Sequence, residues 1–262
     1  MSQVRAAFNK ASNDYENHAF LQKEVATRLN TKLDIITTNP NVILDLGAGT
    51  GLLSRQLSKR FLDSQLVCLD FAQNSLKNNP TPHKICANAN HLPLADNSVD
   101  IVISSLMMQW CPDLKQLFSE IHRVLKNDGL ILFSTFGPDT LKELKNSWSV
   151  VDSEAHVNTF TDMHDIGDQM LDCGFQSPVM EMETLTLTYQ TVTDLLRDLK
   201  AIGAQTVSTR SKSLMGKDKF QLMIKMYESY RKDGKLPATY EVIYGHAWKN
   251  QKKLGGIDIS NS

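Results

Sequence analysis

Asn41-Val42-Ile43-Leu44-Asp45-Leu46-Gly47-Ala48-Gly49-Thr50-Gly51-Leu52-Leu53-Ser54 is the stretch that decides how the chain folds. Val42, Ile43, Leu44 and Leu46 form a short apolar run between Pro40 and Gly47, the pattern of a strand buried on both faces of a parallel sheet. Asp45 lies near its end, and glycines follow at alternate positions 47, 49 and 51. Leu52, Leu53 and Leu57 then open a helical pattern, with polar Ser54, Arg55 and Gln56 between them. Strand, glycine turn and helix together form a first nucleotide-binding crossover, in which glycine tolerates positive φ and lets a ligand approach the backbone. The spacing is G-x-G-x-G, and Leu52 stands where a dinucleotide fingerprint has its third glycine.

The chain has 262 residues, enough for a full core, and a net charge of −1 that favours neither nucleic acid nor an anionic membrane. Its first twenty residues hold no apolar run of signal-peptide length, and no stretch approaches the ~20 apolar residues of a membrane span. Cys68, Cys86, Cys111 and Cys173 lack metal-ligand spacing, so no metal is expected and they read as buried, reduced thiols of a cytoplasmic protein.

Outward from the glycine stretch, residues 3–12 suggest a short helix and Asp14 to Ile36 a longer one. Asp14 would cap it, and Leu21, Val25, Leu29, Leu33 and Ile36 would lie on one face. Tyr15 and His18 fall one turn apart at its start, either as arm residues or as groups closing over a ligand. Gln65–Asp70 reads as a second strand ending in an acid. There Asp70 would accept from both ribose hydroxyls of a nucleotide, or else cap the next helix. Strands follow at 83–87, 99–104 and 130–136. A helix over 113–126, stopped by Asn127-Asp128-Gly129, separates the last two. Such alternation predicts an α/β fold, a doubly wound parallel sheet covered on both faces. Helices are expected at 139–151 and, capped by Thr161, up to Cys173. Strands at 179–189 and 240–248 would form an antiparallel pair at the sheet edge. Between them lie roughly fifty residues with helical patterns at 192–202 and 219–231, long enough to be a functional lid. Residues 190–236 carry ten Lys plus Arg against five Asp plus Glu, a balance of +5.

The glycine stretch with Asp45 resembles the first motif of the class I S-adenosylmethionine-dependent methyltransferases, whose Rossmann-like sheet has seven strands and an antiparallel last strand. That resemblance implies S-adenosylmethionine as cofactor, held by Asp45, Gly47, Gly49, Gly51 and Asp70. Asn88 and Ala89 at the end of the third strand, and Ser104 at the end of the fourth, would complete the set. Asn88 stands where the family usually carries an acid for the adenine amine, and its side-chain oxygen can still accept one hydrogen bond. A narrower likeness runs from about Val4 to Trp248, through VRAAFNKASNDYENHAFLQ, LPLADNSVDIVISSLMMQWC, HVNTF and DLLRDLKAIGA. These segments look like the malonyl-acyl-carrier-protein O-methyltransferases of bacterial biotin synthesis. The likeness implies methyl transfer to the free carboxylate of malonyl-acyl carrier protein, or of malonyl-coenzyme A. The product ester would prime pimeloyl synthesis for biotin.

Under that reading residues 1–38 form an arm, 39–189 with 237–253 the cofactor-binding domain, 190–236 a lid and 254–262 a tail. The basic lid would dock the acidic carrier protein. Tyr15, His18, His156, Lys200 and Arg210 are the candidates for contact with the acceptor, Tyr15 also reaching the donor. Other readings of the same chain are a class I methyltransferase acting on another carboxylate or small molecule, a relative of complex I assembly factors, and a non-catalytic cofactor-binding assembly protein. Leu52 and Asn88 disfavour a dinucleotide oxidoreductase.

Overall fold

The computed structural model describes residues 2–11, 15–36, 38–202 and 216–249. Its sheet has seven strands in the order β3-β2-β1-β4-β5-β7-β6. These are β1 (Val42–Leu46), β2 (Gln65–Asp70), β3 (His83–Cys86), β4 (Val99–Ser105), β5 (Leu125–Phe136), β6 (Phe175–Tyr189) and β7 (Leu236–Lys249). The first five are parallel, whereas β7 runs antiparallel to both β5 and β6. The expected doubly wound sheet with an antiparallel edge is therefore what the chain adopts. Strand order reverses between β1 and β4, so a crevice opens at their carboxyl ends, where ligands of open α/β sheets bind.

Helices α1 (Ser2–Ala11), α2 (Tyr15–His18) and α3 (Phe20–Lys32) precede the sheet. The single helix expected over 14–36 is broken at Ala19, which is fully buried with ψ near 42°, and Asp14 lies outside the described residues. The break lets α2 turn over the crevice while Leu21, Val25, Leu29 and Leu33 of the following segment stay in the core. Further on come α4 (Ser54–Arg60), α5 (Gln73–Asn78), α6 (Leu114–Val124), α7 (Lys142–Ser149) and α8 (Met163–Asp172). Burying Leu117, Phe118, Ile121 and Val124 on one stripe of α6 contributes about 1.5–3 kcal/mol per side chain.

Several boundaries differ from expectation, β6 and β7 each beginning four residues earlier, at Phe175 and Leu236. Helix α6 ends at Val124 and β5 begins at once, with Asn127-Asp128-Gly129 inside that strand and Asp128 at φ 61°. Asp162, not Thr161, caps α8 by accepting from the His164 amide. Cys86 is exposed, against the expectation of buried thiols, and all four cysteines are free.

Between β6 and β7 the described residues form α9 (Val192–Ala201) and α10 (Lys217–Glu228). Helix α9 is capped by Thr191, whose hydroxyl oxygen accepts from the Asp194 amide at 3.2 Å. Arg210 and the tail lie outside the described residues. No described helix is long and apolar enough to cross a membrane.

Candidate active site

The glycine turn after β1 is the floor of the crevice. Gly47, Gly49 and Gly51 have φ of 80°, 51° and 91°, and Gly47 donates to the Leu69 carbonyl at 2.7 Å, locking the turn against β2. A Cβ on Gly47 would lie 2.3 Å from Met107 Cγ. One on Gly49 would meet no protein atom within 4 Å, so its bare Cα faces open space. Asp70, at the carboxyl end of β2, accepts from the Gly49 amide at 2.9 Å and the Ala72 amide at 2.7 Å. Burial raises its pKa, and these amides oppose the rise. Ala72 occupies the cap position of α5, so Asp70 is not that helix's cap and keeps lone pairs for a ligand.

Asp45 is 1% exposed and accepts from the Ser54 hydroxyl at 2.5 Å. Burial pushes its pKa up to about 7, Ser54 opposes the rise and the charge of Asp70 adds to it. Since this folded-state value exceeds the unfolded one, the stabilisation from Asp45 is complete below about pH 4 and is lost as pH rises through 7. Relative to Asp45→Asn, the cofactor-free wild type should therefore lose up to about 4 kcal/mol between pH 4 and pH 8. Denaturant titrations of both proteins test this; parallel pH profiles would refute it.

Four contiguous cavities run along the crevice. The first is small and lined by Asp70, Phe71, Asn88, Ala89, Trp110 and Cys111. Two more lie on the glycine turn, one with Phe8, Tyr15, Asp70 and Ser105, the other with Tyr15, Gln22, Asp45 and Ser105. The last is a chamber of about 260 Å³ walled by Trp110, Phe136, Leu141, Leu144, Trp148, Phe160 and other apolar groups. Leu196, Leu199 and Ile202 of the α9 segment and Phe220 of α10 also line it, so the inserted helices cover the chamber as a lid would.

Tyr15 borders the chamber and both turn cavities, the junction of the two halves of the site. Burial lifts its phenol far above the ordinary value, with Asp70 and then Glu16 adding to the effect. His156 lines the chamber, stacked on Trp148 at 3.8 Å between centroids, and its Nε2 lies 2.8 Å from Asp152. Lys219 of α10 donates to the other Asp152 oxygen at 3.0 Å. His156, then Lys219, hold the Asp152 carboxyl down to about 2.

The remaining candidates fall elsewhere. His18 faces Asp198 of α9 at 3.0 Å and does not line the chamber. Lys200 is exposed and does not line the chamber, although it lies one turn after Leu196, which does. The Ser104 hydroxyl is fully buried and donates to the Leu46 carbonyl at 2.7 Å, leaving its neighbour Ser105 to line the turn cavities. Asn88 Oδ1 accepts from the Asn90 amide at 3.1 Å and retains one lone pair toward the first cavity.

Sequence reading gave no role to Phe8, Gln22, Ser105 or Trp110. Phe8 of the arm packs edge-on against Trp110 at 5.3 Å and roofs the glycine turn. Gln22 Oε1 is buried at the junction with no hydrogen-bond partner among the described residues, an orphan acceptor that a ligand N–H would satisfy. Trp110 sits in the QWC segment that carried the narrower likeness.

The donor set fits S-adenosylmethionine. Asn88 and Ala89 suit a base, Asp70 a ribose, and the open space over Gly49 with the Gln22 acceptor an amino-acid tail. Fold and site thus define a class I methyltransferase. The Methyltransferase domain family model matches residues 44–133. The YcgJ protein from Bacillus subtilis has the same fold, with a TM-score of 0.60, 14% identity, and coverage of 87% of this chain and 99% of that one. A Haemonchus contortus phosphoethanolamine N-methyltransferase 2, solved in complex with S-adenosyl-L-methionine, superposes with a TM-score of 0.57 at 19% identity, over 93% of this chain and 57% of that one.

Sequence relatives narrow the class. The malonyl-[acyl-carrier protein] O-methyltransferase of Gallionella capsiferriformans is 47% identical over 94% of this chain and 90% of that protein. The malonyl-[acyl-carrier protein] O-methyltransferase 1 of Coxiella burnetii is 45% identical over 98% and 92%. The chain belongs to the malonyl-[acyl-carrier protein] O-methyltransferase family.

Proposed function

We propose that this chain is a cytoplasmic enzyme that transfers the methyl group of S-adenosylmethionine to the free carboxylate of malonyl-acyl carrier protein. The resulting ester masks the charge, so that chain-elongating enzymes accept the acyl group as the primer of the pimeloyl moiety of biotin. One observation carries the reading: a nucleotide-sized cradle opens past Tyr15 into an apolar chamber whose described lining residues include no Lys or Arg.

When bound in the cradle, S-adenosylmethionine supplies an electrophilic methyl group on a sulfonium. The protein need not supply a base, because a malonyl carboxyl with a reference pKa of about 4 is already ionised at neutral pH. What the chain must do is align the carboxylate, exclude water and leave one oxygen lone pair free. Aligning two reactants can lower a barrier by roughly 7–11 kcal/mol. Tyr15 and His156 supply donors at the chamber wall, and the lid's Leu196, Leu199 and Phe220 exclude water.

Incubation with methyl-labelled S-adenosylmethionine tests the reaction. Base-labile label should appear on malonyl-acyl carrier protein and not on the unacylated carrier; cofactor binding without label transfer would favour an assembly role instead. Exposed Lys200, Lys217 and Lys225 of α9 and α10 are the proposed contacts for the acidic carrier. Lys219 is excluded from that set because it pairs with Asp152. Reversing the three to Glu should raise KM for the carrier substrate roughly tenfold or more at low salt, with cofactor affinity unchanged. Equal losses in both would discard the docking surface.

A further inference from the structure

The one described ion pair joining the arm to α9 is His18 with Asp198, Nδ1 to Oδ1 at 3.0 Å, half-buried and 180 residues apart in sequence. It connects two elements with different duties. On the arm, Tyr15 lies three residues before His18 in the same short helix, at the junction of cradle and chamber. On α9, Asp198 is flanked by Leu196 and Leu199, which line the chamber. Asp198 also faces the Tyr189 hydroxyl, and Tyr189 faces Tyr240, another chamber residue. The cradle side of the arm is anchored separately, by Arg55 of α4 donating to Glu16 at 2.7 Å and by Phe8 against Trp110.

From this placement we propose that His18 and Asp198 are positioning residues, a clasp that seats the arm only when α9 is seated over the acceptor chamber. Resting on the methyl-transfer reading, the clasp sets Tyr15 between donor and acceptor when the lid is down and releases it when the lid lifts. His18 therefore acts through Tyr15 and does not touch the acceptor. Through Tyr189, Asp198 is linked to Tyr240 in the chamber wall, so an occupied chamber favours the closed pair. Binding at either half of the site then favours closure of the other, as linkage requires.

Hydrogen exchange of the full chain with S-adenosylhomocysteine bound is the test, because it reads the arm without needing turnover. Asp198→Ala, a change on the lid, should speed exchange in arm residues 15–18 roughly three- to tenfold, the scale of one half-exposed charge-assisted hydrogen bond. His18→Ala should speed exchange in α9 by a similar factor. Arg197→Ala, which removes an exposed pair on the same helix, should leave the arm unchanged. In turnover, both clasp variants should lower kcat several-fold, and the double variant should be no slower than either single one. The reciprocal variant His18→Asp/Asp198→His should recover part of the loss. Arm exchange unaffected by Asp198→Ala, or strictly additive losses in turnover, would overturn the clasp. If the wild type fails to methylate malonyl-acyl carrier protein, the acceptor reading fails, while the exchange result still decides the clasp by itself.

Discussion

Asp70→Ala is expected to weaken S-adenosylhomocysteine binding by roughly two orders of magnitude, the size of two hydrogen bonds from ribose hydroxyls to a buried charged acceptor. The carboxylate already accepts from the Gly49 and Ala72 amides, so it is fixed at the end of β2 before any ligand arrives. Removing it also frees the Gly49 amide and loosens the turn on which the cofactor tail would lie. Asp70 does not line the acceptor chamber, so the loss should appear mainly as a raised KM for the methyl donor, with kcat at saturating donor retained within a few-fold. Calorimetric titration with S-adenosylhomocysteine, alongside a thermal melt to exclude unfolding, decides the point. Affinity within threefold of wild type would remove Asp70 from the ribose site.

How much of this was legible in the sequence depends on the range of the interactions involved. The second strand was read at its observed limits, 65–70, because a buried run closed by an acid is a local signal. The end of α6 was not legible, since Val124 and Leu125 are equally apolar and the change from helical to strand period leaves no mark between them. The break at Ala19 was hidden for a related reason. The apolar stripe from Leu21 onward says nothing about the four residues before it, where Ala19 is fully buried and leaves the helical conformation. Among the candidate site residues, Gly47, Gly49 and Asp70 meet at the crevice because one crossover brings them together. The role of His18 depends on Asp198, far along the chain, and no local pattern announces that pairing. Lys200 is a candidate through its place in the lid's DLLRDLKAIGA segment, yet the stripe of Leu195, Leu199 and Ile202 already assigns the inner face of α9 to apolar groups. Ser104 illustrates the period of a strand: its side chain points into the sheet's packing and Ser105, one residue on, points to the crevice.

Tyr15→Phe should lower kcat by roughly 10- to 100-fold at saturating cofactor while changing S-adenosylhomocysteine affinity less than about threefold. The substitution removes one oxygen from a ring that touches the chamber and both turn cavities, so packing is preserved and only the donor is lost. Burial, with the charges of Asp70 and Glu16, keeps that phenol protonated across any working pH, which makes it a neutral donor and excludes it as a base. Neutrality matters to the chemistry. A guanidinium gripping both oxygens of a carboxylate would occupy the lone pairs that must attack the methyl group. A single hydroxyl orients one oxygen and leaves the other free, and the described chamber lining, which holds no Lys or Arg, is consistent with that division. Steady-state kinetics of the variant with malonyl-acyl carrier protein, paired with the binding titration, provide the measurement. A variant with wild-type kcat would reduce Tyr15 to a wall of the cavity, leaving His156 as the remaining sequence-nominated donor at the described chamber wall.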